Sequence, residues 1–215
     1  FAVVPNAKKI RFGMNAVKNV GTGAVEEIIS KREEGGPFKD VNDFLNRVDT
    51  RRVNRKVWES LIKSGGFDSL GMSRGDMLFN LDGLLALGSK IHKEKETNQA
   101  DIFGGIDDAA PSITPQFTFE TAPDQANDRD MLMWERDLLG LYLSSHPLDP
   151  YEKYLEEKAV AVKKLTPEMD NKTTTVGGVI STIRAINTKN GSKMAFVKLE
   201  DKSGEIELIV FPKAY

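Results

Sequence analysis

The sequence of 215 residues predicts a mainly α-helical domain, followed by a linker and then by an all-β module. Three observations support this fold class. Apolar residues recur at helical spacing through roughly the first hundred residues, and this periodicity lapses between Glu94 and Asp130, where prolines and acidic residues accumulate. From about Thr173 onward apolar and polar residues nearly alternate, which is typical of strands separated by turns.

The composition is that of a soluble globular protein, with 40% hydrophobic and 29% charged residues. No apolar run reaches the length of a membrane span and no signal peptide is visible, so we expect a cytoplasmic protein without a membrane partner. The absence of cysteine excludes disulfides and thiolate metal sites. His92 and His146 could not complete a zinc site without carboxylates, and we expect neither a metal site nor a cofactor in this chain.

The net charge of −2 conceals an uneven distribution along the chain. Residues 1–97 carry 17 Lys and Arg against 13 Asp and Glu, residues 98–157 carry 3 against 13, and residues 158–215 carry 10 against 6. Two mildly basic blocks therefore flank an acidic middle, which favours contacts with a polyanion at both ends of the chain. Chance clustering of solvated charges is the alternative.

The first basic block begins with a short hairpin and a glycine turn. We expect residues 1–4 to pair with residues 10–12 across Pro5 and Asn6, and Phe1, which is not an initiator methionine, predicts a piece of a longer protein. Residues 16–29 (AVKNVGTGAVEEII) then read as a short apolar turn of helix, the turn Gly21-Thr22-Gly23, and a second amphipathic helix. This is the pattern of a helix-hairpin-helix motif.

The glycines of this turn suit a contact with phosphate. Gly21 and Gly23 lack the Cβ atoms that would block a close backbone approach, and the turn opens a helix whose free N–H groups attract an anion. Such a contact to the DNA backbone carries little sequence information. Lys18, Gly21, Thr22 and Gly23 are the candidate binding residues. A glycine turn that serves only to pack two helices is the alternative.

Further helices follow, and a second glycine turn lies within them. Asp40 and Asn54 are predicted N-caps, and Ser73 with Asp76 forms a weak capping box at the start of a long helix whose apolar face ends near Ile91. The turn around Gly71 resembles the first one but carries serine in place of its second glycine. Gly71, Ser73 and Arg74 are therefore candidate contacts of a tandem motif, in which two turns grip both strands of a duplex.

Residues 98–130, the first part of the acidic middle, predict a mobile linker because they contain prolines and lack periodicity. Within it, Ile102 and Phe103 are adjacent large apolar residues in a polar setting. They predict a docking motif whose glutamine binds at the rim of a partner's apolar pocket, and its members are Gln99, Ala100, Asp101, Ile102 and Phe103. A tail that folds back on its own domain is the alternative. Residues 131–172 are then expected to form a helical connector.

Three antiparallel strands are predicted for residues 173–215, separated by turns at 188–193 and 201–204. A basic first turn and this strand order match the opening of an OB barrel, which binds single strands by stacking and charge. Phe196 is the candidate stacking residue, and Arg184, Lys189 and Lys193 are the candidate phosphate contacts. A small β-meander with lysines at its turns is the alternative. The three strands are two fewer than a five-stranded barrel needs, so we expect a truncated module with an unpaired sheet edge.

Read in order, these segments resemble the C-terminal half of the alpha subunit of bacterial DNA polymerase III, a C-family replicative polymerase. The resemblance covers essentially the whole chain, and an ordered series of this kind is far more specific than any one motif. The segments that carry it are IRFGMNAVKNVGTGAVEEII at 10–29, GPFKDVNDFLNRV at 36–48, VNRKVWESLIKSGGFDSLG at 53–71, NQADIFGG at 98–105, ERDLLGLYLSSHPLDPY at 135–151 and KMAFVKLEDKSGEIELIVFP at 193–212.

The resemblance implies five regions. Residues 1–12 would be the tail of the fingers, 13–97 the tandem helix-hairpin-helix domain on primer-template duplex, and 98–130 a linker with the motif that docks on the sliding clamp. Residues 131–172 would be the connector and 173–215 a partial OB module near single-stranded template. Other replicase subunits are further implied partners. The family's palm carboxylates, which hold two Mg²⁺ ions for nucleotidyl transfer, have no counterpart in these segments, so we assign no catalytic residue and expect this part alone to be inactive.

Three other readings of the sequence remain open. The same modules occur in repair enzymes such as ligases and nucleases, although neither a zinc cluster nor a lysine nucleophile motif is visible. A lesion-bypass relative of the same polymerase is the second alternative, and it would be expected to lack a good internal clamp motif. A protein that uses its glycine turns only for packing is a third.

Overall fold

The computed structural model describes residues 2–3, 10–100 and 116–215, and it divides the chain into two compact units at residues 142 and 143. The first unit is helical. Its elements are β1 (Ala2–Val3), β2 (Ile10–Arg11), α1 (Thr22–Gly35), α2 (Val41–Arg47), α3 (Arg55–Lys63), α4 (Arg74–Phe79), α5 (Leu81–Ala100) and α6 (Asp128–Leu139). β1 and β2 pair antiparallel, which confirms the predicted hairpin within its described residues.

The helices begin where the sequence predicts caps. Asp40 accepts a hydrogen bond from the Asp43 N–H at the start of α2, and Asn54 accepts one from the Val57 N–H at the start of α3. Each bond satisfies a donor that the first turn of a helix would otherwise leave unpaired. The boundaries of these helices are therefore set by local chemistry.

An aromatic cluster forms the centre of the first unit. The ring of Phe44 meets those of Trp58 and Phe67 edge to face, with centroids 5.1 and 5.0 Å away, and Trp58 and Phe67 lie 5.0 Å apart. All three side chains are buried, and aliphatic residues from α1, α3 and α5 surround them. Burial of this apolar surface fixes the relative positions of the helices that carry both glycine turns.

The long helix predicted after Ser73 is interrupted. α4 ends at Phe79 and α5 begins at Leu81, with Asn80 between them. The Asn80 side chain donates to the Asp76 carbonyl and to the Glu120 carbonyl, at 2.8 and 2.7 Å. The break therefore coincides with an asparagine that binds a segment 40 residues away, which no local pattern could indicate.

The linker prediction was wrong for its last part. Phe117 and Phe119 pack against the helical core, and their rings meet at 5.0 Å. The backbone from Phe117 to Ala122 is hydrogen-bonded to side chains of the helices, so residues 116–126 belong to the first unit. The predicted connector is also divided, since α6 lies in the first unit and the chain from Leu143 onward in the second.

The second unit combines one short helix with an antiparallel sheet. Its elements are α7 (Glu152–Lys158), β3 (Val179–Asn187), β4 (Lys193–Asp201) and β5 (Gly204–Val210), in the sheet order β3-β4-β5. Alternate residues of β4, namely Ala195, Val197 and Leu199, are buried on one face. The register places Arg184 opposite Phe196 and Phe196 opposite Ile209 on the other face. The predicted fold class, helical followed by three strands, is confirmed.

Candidate nucleic-acid interface

The first glycine turn is an exposed entrance to α1. Gly21 is the N-cap residue, with φ −80° and ψ 158°, and it is preceded by a single 3-10 turn at Met14–Ala16. A Cβ atom placed on Gly21 or on Gly23 would meet no other segment within 4 Å. Neither packing nor a positive φ therefore requires glycine at these two positions. Open space above both residues is what the close approach of a ligand's backbone requires.

The N-terminus of α1 also differs from those of its neighbours. Side chains cap α2, α3, α4 and α6, whereas among the described residues no side chain caps α1. The first turn of α1 carries no acidic residue either. Its free N–H groups and the positive end of its dipole thus face solvent, which is the arrangement that binds phosphate at helix N-termini.

Long-range contacts hold this turn in place. Asn19 adopts a left-handed conformation with φ 70°, and its amide nitrogen lies 3.3 Å from the Ser60 hydroxyl on α3. The Lys18 N–H donates to the Leu138 carbonyl at 2.9 Å, near the end of α6. Val17 and Val20 are buried beneath the turn. The exposed loop is therefore anchored on a packed base, with Lys18 at its edge.

The second glycine turn has a different chemistry. Gly71 has φ +81°, so glycine is required there by backbone conformation. The Ser73 hydroxyl accepts the Asp76 N–H at 3.0 Å as the cap of α4, and it lies 2.7 Å from the Asp76 carboxylate and 2.8 Å from Gln125 Oε1. An acidic side chain thus occupies the first turn of α4, where α1 has none.

Arg74 faces inward. Its guanidinium binds both Asp68 carboxylate oxygens, at 3.0 and 2.7 Å, and donates to the Lys63 carbonyl at 3.1 Å. The nitrogen that donates to Lys63 also lies 3.7 Å from the carboxylate of Glu135, which is 1% exposed. The Asp68 hydrogen bonds raise the pKa of Arg74, an effect that burial opposes. The structure therefore gives Arg74 a role inside the turn, and its phosphate contact stays a prediction.

In the second unit, the candidate stacking residue and one candidate cation are neighbours. The Arg184 guanidinium lies 4.9 Å from the centroid of the half-buried Phe196 ring, within the range of a cation–π contact. Lys193 begins β4 and Lys189 lies in the turn before it, where Gly191 has φ +77°. The sheet thus places one cation against an aromatic ring, a pair of groups that single-strand binding uses, and carries the two lysines at the turn between β3 and β4.

The predicted docking motif lies outside the described residues. This is true of the whole of Asp101, Ile102 and Phe103 and of the side chains of Gln99 and Ala100. Within the described ranges, no group of three or more His, Asp or Glu residues is placed to hold a metal ion. No helix in the part of the chain that the structure describes is long and apolar enough to cross a membrane.

Sequence reasoning also missed residues near the second turn. Asp76 was noted only as part of a capping box, but its carboxylate also accepts the Ala122 N–H at 2.8 Å and the Gln125 side-chain amide at 2.7 Å. These bonds, the one from Ala122 above all, hold the Asp76 pKa below its usual value. Gln125 contributed no periodic or motif signal, so only tertiary structure could place it beside Ser73.

Comparisons with known proteins agree with both modules. A family model described as a helix-hairpin-helix motif matches residues 1–77, and one described as an OB-fold nucleic acid binding domain matches residues 174–215. The chain is 37% identical over 207 residues to the DNA polymerase III subunit alpha of Pasteurella multocida, and 37% identical over 209 residues to that of Borreliella burgdorferi. It is 38% identical over 214 residues to that of Mycobacterium tuberculosis.

These matches cover most of this chain but only a small part of each relative. Each covers 96% of this chain but only 18% of the relative, so the chain spans about a fifth of the length of the subunits it matches. The order of modules along the chain, helix-hairpin-helix before OB fold, agrees with the resemblance inferred from the sequence. The chain therefore belongs, over nearly its whole length, to the family of the DNA polymerase III alpha subunits.

Proposed function

We propose that this chain is the part of a replicative DNA polymerase that holds primer-template duplex and docks on the sliding clamp. One observation carries the duplex contact: Gly21 and Gly23 lie at an uncapped helix N-terminus where neither packing nor backbone conformation requires glycine. A phosphate group is the ligand that such a site favours. The two family models, both of nucleic-acid-binding modules, support DNA as the partner.

The chemistry of synthesis belongs, in this proposal, to another part of such a subunit. The relatives are named DNA polymerase III subunit alpha, and this chain spans 18% of their length. The resemblance assigns the metal-binding carboxylates to a palm, which none of the matching segments represents. The chain by itself therefore binds DNA without extending a primer. In the cell it acts in the cytoplasm, as part of a larger replicase assembly. The sheet of the second unit binds single-stranded template through Phe196, Arg184, Lys189 and Lys193.

Titration of labelled duplex at several salt concentrations tests the DNA contact. Binding should be independent of sequence, and the logarithm of the affinity should fall by about 0.9 per phosphate contact as the logarithm of salt concentration rises. Binding that is insensitive to salt would refute the proposal, since contacts to the phosphate backbone release counterions.

Clamp docking has its own test. Phe103→Ala should abolish binding to a purified sliding clamp and leave duplex affinity unchanged, because Phe103 belongs to the predicted docking motif and to neither glycine turn. Phe79→Ala is the matched control, since Phe79 is an aromatic residue of α4 that is 49% exposed. Loss of clamp binding in both variants would contradict the assignment of the motif.

The alternative of a repair enzyme finds no specific support, because the relatives named above are all polymerase subunits. A lesion-bypass relative of the same polymerase differs from the replicative form in the expected weakness of its internal clamp motif. The Phe103 experiment therefore distinguishes these two roles as well, because a lesion-bypass relative would show little clamp binding before any substitution.

A further inference from the structure

Residues 116–126, which we call the strap, are bound at their backbone by side chains of α2, of α4 and of the residue between α4 and α5. Asn42 of α2 accepts the Phe117 N–H at 2.7 Å. The Asn80 amide forms two bonds with Glu120, accepting its N–H at 3.0 Å and donating to its carbonyl at 2.7 Å. Contacts to main-chain groups fix the path of a segment whatever its side chains are.

The strap packs closely against two glycines on the helix surface. A Cβ atom on Gly83 of α5 would lie 2.7 Å from the Phe117 ring. One on Gly75 of α4 would lie 2.7 Å from Gln125 Oε1 and 3.2 Å from the Ala126 nitrogen. Both glycines have ordinary helical conformations, so backbone conformation does not require them, whereas a side chain at either position would displace part of the strap. Here glycine serves packing, in contrast to Gly21 and Gly23 of the first turn.

The end of the strap covers the second glycine turn. Gln125 Oε1 lies 2.8 Å from the Ser73 hydroxyl, and its amide nitrogen donates to Asp76 at 2.7 Å. Asp76 also accepts the Ala122 N–H at 2.8 Å. The N-terminus of α4 is thus supplied with a negative charge and with hydrogen-bond partners from this chain itself, at the place where a phosphate would bind an open helix.

The chain beyond the strap returns to the same turn. α6 begins two residues after the strap, and its buried Glu135 lies 3.7 Å from Arg74, the first residue of α4. The Arg74 guanidinium also donates hydrogen bonds to the Asp68 carboxylate and to the Lys63 carbonyl, both of which precede the second glycine turn. The three candidate contacts of the second turn are therefore a glycine that its backbone requires, a hydroxyl already bonded and an inward-facing guanidinium.

We propose that the second glycine turn is an internal docking site for the strap and α6 and does not contact phosphate, so that duplex is held through the first turn. The inference rests on the proposed function, because it assigns the duplex contact to one of the two turns. It makes Asn80 and Asp76 positioning residues, which fix the strap rather than the DNA.

Two measurements on the full chain test this inference. Asn80→Ala should accelerate amide hydrogen exchange at Glu120 at least tenfold, since the acceptor of that N–H is lost, and should leave duplex affinity within twofold of the original. Asn46→Ala is the matched control, because among the described residues the Asn46 side chain bonds only within its own helix, to the Asn42 carbonyl at 2.8 Å. Ser73→Ala should leave the salt dependence of duplex binding unchanged.

Specific results would overturn the inference. A fall of about 0.9 in the salt slope for Ser73→Ala would reveal a phosphate contact at the second turn. Unchanged exchange at Glu120 in Asn80→Ala would show that this contact does not hold the strap, and tighter duplex binding would show that the strap blocks a competent site. Gly83→Ala provides a second route, since it favours helix α5 yet forces the Phe117 ring to move, and it should also accelerate strap exchange.

The binding measurement tests the proposed function, and the exchange measurement tests the further inference. If the unaltered chain did not bind duplex, the proposed function would be wrong, while exchange at Glu120 would still decide whether the turn holds the strap.

Discussion

Replacing Gly23 with glutamate should stabilise the protein and weaken its hold on DNA. Gly23 is the second residue of α1, is exposed, and has open space around the position of an added Cβ atom. The first turn of α1 contains no acidic residue, and among the described residues no side chain caps this helix. The substitution therefore places a carboxylate beside free N–H groups without disturbing a packing contact.

The two effects have opposite signs and separate causes. Removing glycine from a helix stabilises it by about 0.5–1 kcal/mol, and a carboxylate near the positive end of the dipole adds about 0.3–1 kcal/mol. A phosphate bound about 4 Å from the new carboxylate would be repelled by roughly 1 kcal/mol in bulk water and roughly 4 kcal/mol near a protein surface. Duplex affinity should therefore fall by a factor between about five and several hundred.

Gly23→Gln is the matched control, because it has the same size and helix-forming character without the charge. Denaturant unfolding of both variants measures stability, and titration of labelled duplex at low and high salt measures binding. The glutamate variant should bind more weakly than the glutamine variant at low salt, and the difference should shrink as salt screens the charges. Equal duplex affinity of the two variants at low salt would refute a phosphate contact at this turn.

Three further predictions concern the sheet and the second turn. Phe196→Ala should weaken single-strand binding by about 1–3 kcal/mol through lost stacking, as measured with a labelled oligonucleotide, whereas Tyr154→Ala on α7 should not; equal losses would contradict the stacking role. Arg74→Met should lower the free energy of unfolding by about 3–5 kcal/mol and cost more than Glu135→Gln, because only the former removes the guanidinium from a buried carboxylate; denaturant melts that show the reverse order would refute this. The pKa of Asp76 is lowered chiefly by an N–H of the strap, so its contribution is present above the ordinary carboxyl pKa of about 3.9 and is lost as pH falls through the lower folded-state value. Acid titration of stability should accordingly be steeper below about pH 4 for the original chain than for Asp76→Asn, and parallel curves would argue against it.

The parts of the fold that the sequence predicted correctly are those fixed by neighbouring residues. Asp40, Asn54 and Ser73 each cap the helix that follows, because a cap needs only a side-chain oxygen two or three residues before a free N–H. The strands of the second unit follow from alternation and from turn residues such as Gly191. The exposed first turn was predicted for the same reason, since its glycines and the helix after them are contiguous.

The contacts that the sequence did not predict join residues that are distant in the chain. Arg74 follows a glycine turn and so reads as a phosphate contact, yet one of its partners is Glu135, which lies 61 residues further on. Asn80 reads as one more position in a long helix, yet its amide binds Glu120 and the helix breaks there. The residues from Phe117 onward read as linker because their aromatic side chains are too sparse to show a period.

The two turns show how similar local sequences acquire different roles. Each is a glycine turn that opens a helix, and each helix therefore begins with N–H groups in need of acceptors. In the second turn the chain supplies them, through Ser73, Asp76 and the strap. In the first turn no described side chain does so, although serine, aspartate or asparagine at position 21 would be favourable for the helix. Leaving these donors open costs stability, and in the function we propose a bound phosphate supplies the missing acceptors.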